Sequence, residues 1–132
     1  MTSPSDPERH GLGESTKGWS AERIALNDAR YRDANEQISD HATRLGFTSE
    51  EIPFVCECAD PGCHLLIRLA LSDYEDIRGD PTHFLYIPGH EATAHQYGRV
   101  VEDHEGYIVL EKLARAAEVA VFTDPRADEV GG

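Results

Sequence analysis

The stretch "FVCECADPGCH", residues 54–64, holds all three cysteines of a 132-residue chain, from Cys56 to Cys63. Its first half alternates. Phe54, Cys56 and Cys58 fall on one side of an extended chain, in phase with Ile52 before them. Its second half turns. In Asp60-Pro61-Gly62-Cys63, Pro61 presets φ at the second turn position, and Gly62 suits the positive φ of a type II turn at the third. The chain therefore reverses and brings Cys63 back beside Cys56 and Cys58. The run "HLLIRLAL" that follows places Leu65, Ile67, Leu69 and Leu71 on one face of a second strand.

Upstream of this reversal the pattern is helical. Ser20 is an N-cap, Glu22 lies in the first turn, and Trp19 can fold onto Ile24 as a hydrophobic staple. Ile24, Tyr31, Ile38 and Leu45 recur every seven residues, with Ala34, His41 and Ala42 near the same stripe, and Gly46 is the stop. Such a helix of about 25 residues is ~37 Å long. Its narrow stripe suits packing on its own sheet or on a second copy, although Asn27 and His41 spoil a coiled-coil seam.

Downstream, "SDYE" reads as a capping box, with Ser72 as N-cap and Glu75 three positions on, opening a short helix that Gly79-Asp80-Pro81 closes. "HFLYI" is a strand and "PGHEATAH" is irregular. "YGRVVED" and "GYIVLEKL" form a hairpin about His104-Glu105-Gly106. A last helix over residues 113–122 shows Leu113, Ala117, Ala120 and Val121 as its apolar positions. The expectation is α+β: a long N-terminal helix packed on a small, mainly antiparallel sheet, with a metal-binding knuckle and a C-terminal helix. Residues 1–18 read as a disordered tail, 19–123 as one zinc-binding domain, and 124–132 as a flexible tail.

Twelve basic residues against 25 acidic give a net charge of −13. That sign opposes direct nucleic-acid binding and adhesion to anionic membranes, both of which need cationic side chains. No apolar run reaches the ~20 residues of a membrane helix, and the first residues lack a signal pattern. The expected location is the cytoplasm, where clustered thiols serve as ligands or redox groups more often than as disulfides.

Cys56, Cys58 and Cys63 form a Cys-x-Cys-x4-Cys cluster that supplies three of the four donors a tetrahedral zinc ion takes. The fourth is sought among His64, His83, His90, His95 and Glu57. His64 follows Cys63 directly and points away from it on a strand. His90 is preferred, because Pro88-Gly89 turns the chain after a strand and can aim it at the knuckle. Three thiolates and one imidazole make a closed, structural set. Iron–sulfur ligation lacks its fourth cysteine, and a redox pair lacks both a Cys-x-x-Cys motif and a nearby cation. His10, His41 and His104 read as solvent-facing.

The catalytic alternatives fit poorly. His90 and His95 in "HEATAH" are spaced by five, where a zincin helix needs four. The deaminase signature, the nucleophile elbow and the phosphate-binding loop are all missing.

Together, "FVCECADPGC", "YEDIRGDPTHF", "PGHE", "VVEDHEGYIVLEK" and "TDPR" resemble a family of short uncharacterised actinobacterial proteins over residues 21–126. The resemblance implies that Cys56, Cys58, Cys63 and His90 occupy the marked positions of the pattern. Residues 92–97, with the extra His95, depart from it. No activity is implied. The expected function is a small zinc-binding protein, non-catalytic, that binds an unidentified protein partner or forms a homodimer through the long helix. The alternatives are a redox regulator that releases zinc on oxidation, and a metal-dependent enzyme with an open coordination position.

Overall fold

The computed structural model describes residues 16–47 and 50–126. Among the described residues there are three α-helices: α1 (Ala21–Leu45), α2 (Leu71–Ile77) and α3 (Ala114–Phe122). Five strands accompany them: β1 (Glu51–Val55), β2 (Leu66–Ala70), β3 (His83–Tyr86), β4 (Gly98–His104) and β5 (Tyr107–Lys112). β1 and β2 pair antiparallel, and the other strands form an antiparallel sheet in the order β3-β5-β4. The architecture is the α+β mix expected, with its strands divided between two small sheets.

α1 starts and stops as its sequence dictates. Ser20 Oγ accepts from the Arg23 N–H, and Gly46 takes φ 82° with its own N–H returned to the last helical turn. Trp19 stacks beneath the Arg23 guanidinium, 3.9 Å from its ring centre.

The buried face of α1 differs from the seven-residue stripe. It runs through Ala21, Ile24, Ala25, Asp28, Ala29, Arg32, Asn35, Ser39 and Ala42, whereas Leu45, Ala34 and His41 are exposed and Tyr31 and Ile38 are half-buried. Apart from Ile24 the inward residues are either small or polar, so counting large apolar side chains finds a neighbouring phase instead.

Each inward polar residue of α1 grips a different element. Tyr86 donates to Asp28 Oδ2 at 2.8 Å, and the Lys112 ammonium of β5 pairs with the same carboxylate. Arg32 donates to the carbonyls of Pro81 (2.8 Å) and Ala120 (2.9 Å) and lies over the Phe84 ring. Asn35 imitates a strand: its amide accepts from the Val55 N–H and donates to the Val55 carbonyl, both at 2.8 Å, which satisfies one edge of β1. Ser39 donates to Glu75 of α2 at 2.7 Å.

The apolar core lies between these elements. Phe54 of β1 stacks on Tyr74 of α2 with ring centres 4.4 Å apart, and Phe84, Leu85, Val109 and Leu110 are fully buried.

Three local readings are corrected. The capping box on α2 does not form: Ala70 is the N-cap, Ser72 lies within the first turn, and Glu75 instead pairs with Ser39 and Arg126. α3 buries Ala116, Val119 and Ala120, while Val121 is exposed. The irregular stretch is a 3₁₀ segment, His90–Tyr97, kinked at His95 where φ is 52°.

Residues 1–15 and 127–132 of the expected tails lie outside the described residues. Of the expected tail residues that are described, Thr16 is buried and donates to the Thr93 carbonyl, Asp124 binds Arg78, and Arg126 binds both Glu36 and Glu75. Among the described residues no helix is long and apolar enough to cross a membrane.

Candidate metal centre

Two proline turns deliver two of the donors. In Asp60-Pro61-Gly62-Cys63 the Cys63 N–H closes onto the Asp60 carbonyl at 3.1 Å. The turn is not type II, because Gly62 has no positive φ. The Asp60 side chain tightens it instead, accepting from the Gly62 N–H at 2.8 Å. The type II turn is the other one. In Ile87-Pro88-Gly89-His90 the His90 N–H donates to the Ile87 carbonyl at 2.9 Å, and Gly89 takes φ 97°. Each turn places a ligand-type side chain at its fourth position.

The two turns meet. Cys56, Cys58, Cys63 and His90 bring four donor atoms within 4.8 Å of one another, an arrangement that can hold a metal ion. His90 Nδ1 lies 3.6 Å from Cys56 Sγ and 3.7 Å from Cys63 Sγ. All four residues are buried, with exposures of 1%, 0%, 6% and 8% in chain order.

The sulfurs also receive backbone donors. The Ile87 N–H points at Cys56 Sγ from 3.3 Å, the Asp60 amide serves Cys58, and the Leu65 amide serves Cys63. Such N–H···S bonds favour thiolates. Burial, and then the neighbouring thiols, push the Cys56 thiol well above its usual range. Bonds from Cys56 and Cys58 hold Cys63 far below its own. Three thiolates side by side need a cation between them to offset their mutual repulsion.

The knuckle is anchored to α1. Asn27 donates to the Ala59 carbonyl at 3.0 Å, and Tyr31 places its hydroxyl 3.0 Å from the carbonyls of Asp60 and Pro61. Thr93 ties the His90 segment to it, donating to the His90 carbonyl and accepting from the Ala59 N–H.

Glu57, between two of the cysteines, points away from them. Its carboxylate accepts from Asn35 Nδ2 at 2.8 Å and from the Leu85 N–H at 2.9 Å. Burial raises this carboxyl to about 7, against the pull of those two bonds. Glu57 is thus a clamp joining α1 to β3. Sequence alone offers it as a candidate fourth ligand, and the structure leaves it out of the cluster.

The remaining histidines lie elsewhere. His64 is exposed, beside a surface cleft it shares with Tyr31 and Pro61. His95 is exposed, with Nε2 2.8 Å from the Thr16 hydroxyl. His41 is exposed, and exposed His104 pairs with Glu102. His83 faces Asp80 and Glu111. His10 lies outside the described residues. No family model matches the chain, and neither a curated protein nor a solved structure matches it.

Proposed function

We propose that the protein is a non-catalytic zinc-binding module in which Cys56, Cys58, Cys63 and His90 hold a structural zinc ion. The distance between His90 Nδ1 and the thiol sulfurs carries this reading. Zinc–sulfur bonds of about 2.3 Å and a zinc–nitrogen bond of about 2.0–2.1 Å, at the tetrahedral angle, place sulfur and nitrogen about 3.6 Å apart. The observed separations are 3.6 and 3.7 Å. Four protein donors complete a tetrahedron and leave no position for a reacting water, which favours a staple over an enzyme. Burial of all three thiols favours a staple over a redox sensor, because oxidants select exposed thiolates.

The partner in this reading is another protein. Its surface is the outward face of α1, where Arg30, Asp33, Gln37 and His41 border a groove that reaches Phe47 and Ile52.

The test is metal content. Untagged wild-type protein is expected to carry one zinc per chain, and His90→Ala to lose most of it. Full retention of zinc by His90→Ala refutes the ligand set. Sedimentation at high concentration then separates the partners: a monomer there removes the homodimer.

A further inference from the structure

A second set of metal-ligand side chains, without cysteine, lies at the opposite end of β3 from His90. The sheet register builds it. His83 at the start of β3 is paired with Glu111 of β5, and Glu111 is paired in turn with Arg99 of β4. A further proline turn supplies the third member. Across Asp80-Pro81-Thr82-His83, the His83 N–H donates to the Asp80 carbonyl at 3.0 Å.

His83 Nε2 stands 3.4 Å from Asp80 Oδ2 and 3.6 Å from Glu111 Oε2. The three donor atoms lie within 4.8 Å of one another. A charged hydrogen bond would draw nitrogen and oxygen to about 2.7–2.9 Å. Ligands about 2.0–2.2 Å from a shared ion, at 90–110° to each other, stand about 2.8–3.6 Å apart. The observed spacing matches the second arrangement.

Each carboxylate is already held by its other oxygen. Asp80 Oδ1 accepts from the Thr82 N–H (2.9 Å) and the Thr82 hydroxyl (2.7 Å), while Glu111 Oε1 accepts from Arg99 Nε at 2.8 Å. The remaining oxygens are thereby turned to the imidazole. Outer partners of this kind fix the orientation of metal ligands.

We infer that Asp80, His83 and Glu111 form a second cation site, independent of the cysteine centre and selective for a first-row divalent ion. One imidazole and two carboxylates suit manganese, iron or zinc, and their two negative charges balance a dication. The side chains are 20–45% exposed, so the ion exchanges with solvent and keeps water among its ligands. The net charge of −13 raises the local concentration of cations.

Mn²⁺ is the probe, because thiolates prefer softer ions. Protein retaining its cysteine-bound metal is titrated with Mn²⁺, and the free ion is read by electron paramagnetic resonance. One saturable site per chain is expected, weakened at least tenfold in His83→Ala and in Asp80→Asn. It is unchanged in His104→Ala, whose ring pairs with Glu102 elsewhere on the same sheet. Circular dichroism identifies variants that retain the fold, and either of the first two suffices. Absence of a saturable site in the wild type overturns the assignment. Equal affinity in a folded His83→Ala or Asp80→Asn variant also overturns it, by assigning Mn²⁺ to the acidic surface at large.

Discussion

Gly62 and Gly89 each follow a proline and precede a candidate metal ligand, yet only Gly89 adopts a left-handed φ, of 97°. A methyl group at Gly62 would meet only Asp60 Oδ1, at 3.4 Å, an ordinary contact. Gly62→Ala is therefore expected to change stability by no more than about 0.5 kcal/mol, whereas Gly89→Ala costs about 1–3 kcal/mol through backbone strain. Urea unfolding of the two variants checks the contrast. The Pro-Gly pairs announced both turns in the sequence, but not which of them needs a positive φ. That depends on Asp60, whose side chain satisfies the Gly62 N–H and lets the first turn close without it. The four candidate ligands were legible because spacing alone brings three thiols together. The clamp role of Glu57 was not, because its partners Asn35 and Leu85 are far away in the chain.

At the scale of elements, α1 acts as a polar spine. Its boundaries were legible from Ser20 and Gly46, but its inward face was not, since periodicity registers large apolar residues and this face carries only Ile24 of that kind, among alanines and Asp28, Arg32, Asn35 and Ser39. Arg32→Met removes the guanidinium that lies over Phe84 and strands the carbonyls of Pro81 and Ala120. It is expected to cost about 2–4 kcal/mol, read by denaturant unfolding. Asp28 adds a pH dependence. Burial raises its carboxyl from 3.8 to about 6, against the attraction of Lys112. A raised acid contributes stability below its unfolded value and loses that contribution as pH climbs through the folded one. Relative to Asp28→Asn, wild type is therefore expected to lose stability between pH 4 and 7, by on the order of 3 kcal/mol. Unfolding both proteins across that range checks the sign. At the mouth of β4, a Cβ on Gly98 would stand 2.5 Å from Leu110 Cδ2 and 3.2 Å from Ala94 Cβ. Gly98→Ala is expected to lower stability by about 1–3 kcal/mol through overpacking.

Across the whole molecule, the cysteine centre joins pieces that share no sheet. Cys56 follows β1, Cys63 precedes β2, and His90 opens the segment after β3, so an ion held by these side chains would cross-link the two-stranded sheet to the three-stranded one. The antiparallel pairing was legible from short turns between alternating runs. The division into two sheets was not, and the bridge between them runs through Glu57, held by Asn35 and by the Leu85 N–H. A metal bound only by the folded chain stabilises it by about 4 kcal/mol at a thousand times its Kd. Native mass spectrometry of the untagged protein, with thiol titration before and after denaturation, tests this most directly. The account predicts one zinc per chain and three thiols that react only once the protein is unfolded. A folded, metal-free chain whose three thiols titrate freely would contradict it.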